Sequence, residues 1–381
     1  MEKRSKEKSK GGLLFAAIAT LTGTAIGAGF LGIPHVVAKS GFLIGLIQMI
    51  ILALIIMLVN LYIGEVILRT KETHQLPGYA SKYLGKWARA LMVCTMVFGI
   101  YAAMTAYFIG EGQVLSFIFT GNLSYSLWFS LAFFVIIALL VYRGIEALKE
   151  GETFGLIAVL SIVTILAIVF SPKINLNNLT YSSDNIVEWF LPYGVILFSF
   201  LSFSALPEVK QEIKNNEKIF KKAIIIGALI PLIAYTIFTM AVVGFAGKAT
   251  PEIATIALGK IPSLLAVFTM FTACFALSNA IRDMYKWDLK IKQFWAWLLT
   301  IIIPLIVFLV VTKLQLATFT MLLEFGGAIV GGLTGILAVL MLLKAKKLGD
   351  RKPEYTIYID WIIATILILI FAAGIIYQFV F

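Results

Sequence analysis

The fold of this chain is decided by a stretch of twelve residues near its start, Gly23-Thr24-Ala25-Ile26-Gly27-Ala28-Gly29-Phe30-Leu31-Gly32-Ile33-Pro34. It is a poor helix, because Gly costs about 1 kcal/mol and Pro about 3 kcal/mol relative to Ala. Yet it lies inside an apolar segment, residues 12–38, that is long enough to cross a bilayer. Broken backbone at membrane depth is tolerated only inside protein or against a polar cavity. The stretch therefore predicts a discontinuous membrane helix whose gap holds a solute; the alternative is a glycine face for close helix packing.

The composition is that of a polytopic membrane protein. Of the 381 residues, 61% are apolar and 13% are charged, whereas soluble domains are about 25% charged. The two cysteines, Cys94 and Cys274, lie in apolar segments and suggest neither a disulfide framework nor a metal cluster. The sequence shows no nucleophile–base spacing, no metal-ligand cluster and no soluble domain for ATP, so we expect no cofactor and no enzymatic activity.

Eleven apolar segments are long enough to span a bilayer, which takes about 20 residues each. Segments 1 to 5 cover residues 12–38, 41–68, 90–119, 125–142 and 153–170. Segments 6 to 11 cover residues 187–207, 222–247, 261–282, 292–312, 315–343 and 357–380. Residues 1–11 are rich in lysine and arginine, and we predict that they form an N-terminal tail. Two short helices are predicted between the spans, one at residues 79–87 and one at residues 250–258.

The distribution of lysine and arginine sets the orientation, because cytoplasmic loops carry an excess of both. With the N-terminus inside, the inner connections hold 26 of the 31 basic residues and the outer side holds 5. The net charge of +11 then reflects a cytoplasmic face near anionic lipid, not a nucleic-acid surface. We predict a multi-pass protein of the cell membrane with a cytoplasmic N-terminus and an extracytoplasmic C-terminus. Its partners are membrane lipid and a small solute, and no obligatory protein partner is evident.

The segments contain a hidden repeat. Segments 1–5 (residues 12–170) and segments 6–10 (residues 187–345) are nearly equal in length, and an odd number of spans makes the two halves face opposite ways. Segment 6 is interrupted at the corresponding place, by serines at 199, 202 and 204 and then Pro207. Interrupted helices at matching positions of two inverted halves indicate a transporter binding site near the membrane midplane. Segment 11 lies outside the repeat.

Four stretches carry a family resemblance. They are the quoted stretch continued by residues 38–45, Tyr79-Ala-Ser-Lys-Tyr-Leu-Gly-Lys-Trp87, Ala106-Tyr-Phe-Ile-Gly-Glu-Gly112 and Glu324-Phe-Gly-Gly-Ala-Ile-Val-Gly-Gly-Leu-Thr-Gly335. They resemble the first two helices, an inner loop, the third helix and the tenth helix of the amino acid/auxin permease family, within the amino acid–polyamine–organocation superfamily. The glycine-rich first segment is also similar to that of bacterial tryptophan/tyrosine permeases. The resemblance implies an all-α fold of the LeuT type, with a five-plus-five inverted repeat and one extra helix, and amino acid transport.

An amino acid presents a carboxylate and an ammonium, and the two breaks offer groups for both. The half-helix after the first break points its N-terminus at the gap, which is an anion site. We therefore expect the carboxylate on the backbone of Ile26, Gly27, Ala28 and Gly29. The ammonium would meet carbonyls freed at both breaks, around Ala25, Phe198 and Ser199.

The side chains of segment 6 indicate which amino acids fit. Phe198, Phe200 and Phe203 alternate with serines, among them Ser202, and supply an apolar wall that favours a neutral, apolar or aromatic substrate. The resemblance implies that Tyr107 of segment 3 reaches the carboxylate or lines the pocket. The alternative for Tyr107 is aromatic packing.

The coupling ion remains open between sodium and a proton. The resemblance implies a sodium site built from carbonyls of the first break, Gly23 and Ile26, and hydroxyls of segment 8. Thr269 and Thr272 lie at i,i+3 on one face of that segment; the alternative is that both bond to their own helical turn. Some proton-driven relatives carry a lysine in segment 5, and this chain has no basic residue between Glu152 and Lys173.

Three acids inside apolar segments need an account, because ionisable residues there are rare and functional. Glu324 lies ten residues into segment 10, roughly 15 Å at 1.5 Å per residue. We place it near mid-membrane as the group that a coupling proton would bind, or as a neutral acid bonded to nearby backbone. Glu65 would pair with Arg69 at i,i+4 or, by resemblance, accept from the broken segment 6. Glu111 lies near the outer end of segment 3, where we expect exposure. Both are gating or structural candidates.

These observations predict a secondary active transporter of neutral amino acids. It would work as a cation-coupled symporter by alternating access, with substrate at the two broken helices. The alternatives are an amino acid exchanger and a non-concentrative channel or sensor. A membrane-embedded enzyme is disfavoured.

Overall fold

The computed structural model describes residues 10–143, 152–288 and 290–380. Within them the secondary structure is helical, apart from an isolated β-bridge between Gly41 and Ser182. The predicted all-α architecture is therefore confirmed for this part of the chain.

Eight α-helices lie in the first half of the described residues. They are α1 (Lys10–Ala25), α2 (Ile33–Ser40), α3 (Phe42–Leu68), α4 (Leu76–Leu84), α5 (Lys86–Thr120), α6 (Ser126–Arg143), α7 (Glu152–Phe170) and α8 (Leu176–Thr180). A 3-10 turn, Gly29–Leu31, separates α1 from α2. The predicted helix at residues 79–87 is α4, which begins earlier because Pro77 suits a first helical turn.

Nine α-helices lie in the part of the second half that the structure describes. They are α9 (Pro192–Ser199), α10 (Leu206–Glu212), α11 (Phe220–Ala246), α12 (Thr255–Leu258), α13 (Lys260–Asp283), α14 (Gln293–Leu314), α15 (Phe319–Gly326), α16 (Gly332–Leu348) and α17 (Trp361–Val380). A five-residue π-helical turn, Gly327–Gly331, joins α15 to α16. The outer helix predicted at residues 250–258 corresponds to α12, which is shorter than the prediction.

Ten helices of the described residues, counting α9 with α10 and α15 with α16 as continuous spans, are long and apolar enough to cross a membrane. The pair formed by α1 and Gly29–Ser40 is an eleventh candidate, bent by 52° at its break. Ten to eleven spans agree with the eleven predicted segments. The inverted repeat and its boundaries remain predictions.

Gly41 makes the turn that folds α3 back against α2. Its φ of +108° is a conformation that side-chain-bearing residues rarely adopt. A Cβ there would also lie 2.7 Å from the carbonyl oxygen of Tyr181. Glycine at this position therefore permits both the sharp turn and the close approach of residues 181–182.

Helix α5 packs against α13 and runs antiparallel to it. Met104 meets Ser278, whose hydroxyl lies 3.7 Å from the methionine sulfur. Two turns further on, the sulfur of Met270 packs against Gly110. Moving along α5 therefore means moving backwards along α13. We call the C-terminal end of α5 the outer end, after the orientation predicted from the charge distribution.

Candidate functional site

Both predicted helix breaks are present. The first lies between α1, which ends at Ala25, and the 3-10 turn that begins at Gly29. The second lies between α9, which ends at Ser199, and a 3-10 turn at Phe203–Ala205 that leads into α10. Pro207 occupies the first turn of α10, where its missing N–H is no loss.

The two breaks lie against each other. A Cβ added to Gly29 would sit 2.7 Å from Ser199 Oγ and 2.8 Å from a ring carbon of Phe198. A Cβ added to Gly27 would lie 3.6 Å from the Tyr107 hydroxyl, which is an ordinary contact distance. Glycine at position 29 is therefore required for the close approach of the two broken helices.

The backbone N–H groups at the first break are not equally free. The N–H groups of Ile26 and Gly27 donate within their own segment, each across 2.8 Å, to the carbonyls of Thr22 and Ala25. The N–H of Ala28 faces the Tyr107 hydroxyl. Among the described residues, no backbone carbonyl accepts from Gly29. Of the four groups predicted to hold a carboxylate, Ala28 and Gly29 are thus the better placed.

Of the three carbonyls predicted to meet an ammonium, those of Ala25 and Ser199 are held together by a residue that the sequence did not single out, whereas the Phe198 carbonyl accepts from the Leu201 N–H. The hydroxyl of Tyr235, on α11, lies 2.8 Å from the Ala25 oxygen and 2.9 Å from the Ser199 oxygen. Its ring stacks on Phe30 with the two planes 1° apart. Tyr235 lies in an ordinary apolar span, and no local motif marks it.

Two of the three phenylalanines predicted to form an apolar wall are buried in the core. Phe200 and Phe203 are buried, and the Phe200 ring packs on Tyr235 with centroids 5.1 Å apart. Phe198 is half-buried and lies against Gly326 of α15. The Ser202 hydroxyl accepts from Asn60 Nδ2 at 3.1 Å. Phe198 is therefore the wall residue with surface left to offer a ligand.

The predicted sodium ligands are not assembled in this structure. Thr269 and Thr272 donate to carbonyls of their own helix, at 3.0 Å to Leu265 and 2.9 Å to Phe268. Ala273, one turn after Thr269, is the residue that faces Gly27.

Helix direction places Thr269 and Gly23 on opposite sides of the first break. Along the first span, Gly27 lies beside Tyr107. Five residues later, Gly32 lies beside Thr320, which is at the outer end of α15. Gly23 therefore lies on the inner side of the break. Because α13 runs the other way, Thr269 lies on the outer side.

Glu65 forms the i,i+4 ion pair. Its carboxylate is 2.8 Å from Arg69 and 3.6 Å from Lys346, and it accepts from the N–H of Ile357 at 2.6 Å. No hydrogen bond from the broken span to Glu65 occurs in the described residues. That span instead reaches α3 through Lys210 of α10, which donates to the carbonyls of Ile67 and Thr70 at 3.3 and 3.2 Å.

Glu111 is not exposed, contrary to the prediction. Its side chain is 1% exposed, and Oε2 has no hydrogen-bond partner among the described residues. It lies one turn after Tyr107, and the thiol of Cys274 is near both side chains. The prediction was wrong because α5 continues nine residues beyond Glu111, to Thr120, with α6 and α13 packed around it.

Glu324 lies nearer the outer end than predicted. Helix α15 begins at Phe319, not at residue 315, so Glu324 is only five residues in, about 8 Å at 1.5 Å per residue. It faces a cleft of about 370 Å³ together with His35, Lys39 and Glu252. It is half-buried and interacts with Gln378 of α17. This cleft, and not an apolar mid-membrane site, is its environment.

Comparison of the sequence with known proteins finds similarity to permeases and amino acid transporters. The model of the tryptophan/tyrosine permease family matches residues 10–261. Glutamine transporter 2 of Aliivibrio fischeri is 25% identical over 237 residues, which is 61% of each chain. Tyrosine-specific transport system 2 of Haemophilus influenzae is 27% identical over 238 residues, 60% of this chain and 58% of the relative. The match thus spans about three fifths of the length of these relatives.

Proposed function

Because this chain belongs to the tryptophan/tyrosine permease family, we propose that it is a secondary active transporter of neutral amino acids. The observation that carries the proposal is the contact between the two helix breaks at Gly29 and Ser199. The names of the two relatives mention glutamine and tyrosine, and both of these amino acids have uncharged side chains. Membership of a permease family also sets aside the membrane-enzyme alternative. The resemblance to the amino acid/auxin permeases, and with it the LeuT-type arrangement, remains a proposal.

The substrate would lie between the breaks. Its carboxylate would accept from the N–H groups of Ala28 and Gly29, at the positive end of the short helix that follows. Its ammonium would donate toward the oxygens of Ala25 and Ser199. Phe198 would contact its side chain. Since no charged side chain lies in this set, a cationic or anionic substrate would lack a partner there.

Transport would follow from movement of the broken helices against α5 and α13. Substrate would enter from the outer end, where the cleft of His35, Glu252 and Glu324 lies, and leave near α10. Coupling to a cation would drive accumulation. A proton would be bound by Glu324, which has solvent access through the cleft, whereas a sodium ion at Gly23 and Ile26 would need hydroxyls other than those of Thr269 and Thr272.

The test is uptake of labelled glutamine, tyrosine, arginine and glutamate into proteoliposomes with an imposed proton gradient, an imposed sodium gradient, or neither. We expect one gradient to drive accumulation of glutamine or tyrosine above the outside concentration. Equal uptake of arginine or glutamate contradicts the neutral-substrate proposal. Binding and exchange without accumulation would favour an exchanger, and binding alone a sensor.

A further inference from the structure

The two helix breaks are joined through one hydroxyl group. Tyr235 Oη lies within 2.9 Å of the carbonyl oxygens of both Ala25 and Ser199. The phenol is 1% exposed and is wedged between Phe30 and Phe200. Its position is therefore set by packing, and both carbonyl oxygens lie within hydrogen-bond distance of its hydroxyl.

This cluster of three oxygens is short of donors. A phenol carries one proton and so can donate fully to only one of the two carbonyls. The Ala25 oxygen also accepts from the Gly27 N–H at 2.8 Å. The Ser199 carbonyl oxygen accepts from no second donor among the described residues. The phenol proton is therefore needed by the Ser199 oxygen, and the phenol and Ala25 oxygens lie 2.8 Å apart with no proton between them.

A primary ammonium supplies what is missing, since it carries three N–H donors and a positive charge. It can donate to the carbonyl that the phenol does not serve and to the lone pair of the phenol oxygen. We propose that Tyr235 is a specificity-determining residue whose hydroxyl, with the Ala25 and Ser199 carbonyls, recognises the α-ammonium of the substrate. This inference rests on the proposed function and adds a third oxygen, from α11, to the two backbone groups.

The test compares amino acids with analogues that lack the ammonium. Purified full-length protein is titrated with L-glutamine and its des-amino analogue glutaramate, and with L-tyrosine and 3-(4-hydroxyphenyl)propionate. The variant is Tyr235→Phe, which keeps the ring packing and removes only the hydroxyl. The matched control is Tyr62→Phe, because the Tyr62 hydroxyl is also buried and has no partner in the described residues.

We expect Tyr235→Phe to reduce the preference for the amino acid over its analogue by about tenfold to a hundredfold, the worth of a hydrogen bond to a charged group. The control should keep the preference. An equal loss for both ligands in Tyr235→Phe would indicate a purely structural tie and overturns the inference, as does an unchanged preference.

Two further results keep the outcome decisive. If Tyr235→Phe does not fold, N-methyl and N,N-dimethyl substrates are titrated into the wild-type protein; their affinity should fall with each lost N–H, and a constant affinity overturns the inference. A third outcome is that sodium stabilises the wild-type protein but not Tyr235→Phe, while the ligand preference is unchanged. This result would assign the three oxygens to the ion and would overturn the inference. Failure of the wild-type protein to bind any amino acid removes the proposed function itself, which is a distinct result.

Discussion

Gly29 and Ser199 approach each other so closely that a Cβ on the glycine would lie 2.7 Å from the serine Oγ. Real Cβ atoms do not make such contacts with neighbours that are fixed, and Ser199 is fixed because its hydroxyl donates to Val195. The contact is the point at which the two broken helices meet, so the spacing of the site depends on it.

We therefore expect Gly29→Ala to abolish substrate binding, since overpacking costs about 1–3 kcal/mol and separates the breaks. Gly155→Ala is the control, because its Cβ would meet only two Phe268 ring carbons, at the ordinary contact distances of 3.5 and 3.7 Å. Both variants are compared by melting temperature and by substrate titration. Normal affinity in Gly29→Ala would show that the breaks do not need this contact.

Loss of charge at the two buried glutamates, Glu65 and Glu111, should lower stability to very different extents. Glu65→Gln removes the partner of Arg69 and Lys346, and breaking a buried ion pair costs about 3–5 kcal/mol. Glu111→Gln keeps the shape of a side chain whose Oε2 has no hydrogen-bond partner in the described residues, so we expect little or no loss. Thermal unfolding in detergent measures both. A larger loss in Glu111→Gln than in Glu65→Gln contradicts this account.

Lys210 should hold the inner end of the second broken span closed. Its ammonium binds the carbonyls of Ile67 and Thr70 at the end of α3, and methionine cannot replace those donors. In a Cys94→Ser background, we expect Lys210→Met to speed maleimide labelling of Cys274, which is fully buried near Tyr107. Lys214→Met, at an exposed position, is the control. Equal labelling rates in the two variants would argue against a gating role.

The inner face carries an ion pair whose pH dependence has a defined sign. The hydrogen bond from Lys82 lowers the pKa of the Asp350 carboxyl, and the same bond raises the pKa of Lys82. The carboxyl contributes stability above its unfolded pKa of about 3.9 and loses it as pH falls through the folded value. The lysine contributes below its unfolded pKa of about 10.4 and loses it as pH rises through the folded value.

Between pH 5 and 9 the contribution of this pair is therefore constant. We expect the Lys82→Met and Asp350→Asn variants to have the same shape of transport–pH profile as the wild-type protein over that range. Initial uptake rates at one-unit pH intervals provide the comparison. A displaced profile would mean that this pair takes part in coupling.

The sequence by itself determined the spans, the two breaks and the residues at them. Each depends on local chemistry: glycine and proline interrupt a helix wherever they are placed, and a run of about 20 apolar residues spans a bilayer. The positions around Gly27 and Ser199 could be read without knowing what surrounds them. The all-α class follows from the same local facts.

Only the tertiary structure decided which side chains meet at the breaks. A membrane helix that is apolar on all sides has no periodicity to show which face turns inward, so nothing marked Tyr235 on α11 or the burial of Glu111. Helix direction separated Thr269 from Gly23, although the family resemblance had implied one site for both. These contacts join residues far apart in the sequence, and they depend on the rotation and level of each helix within the bundle.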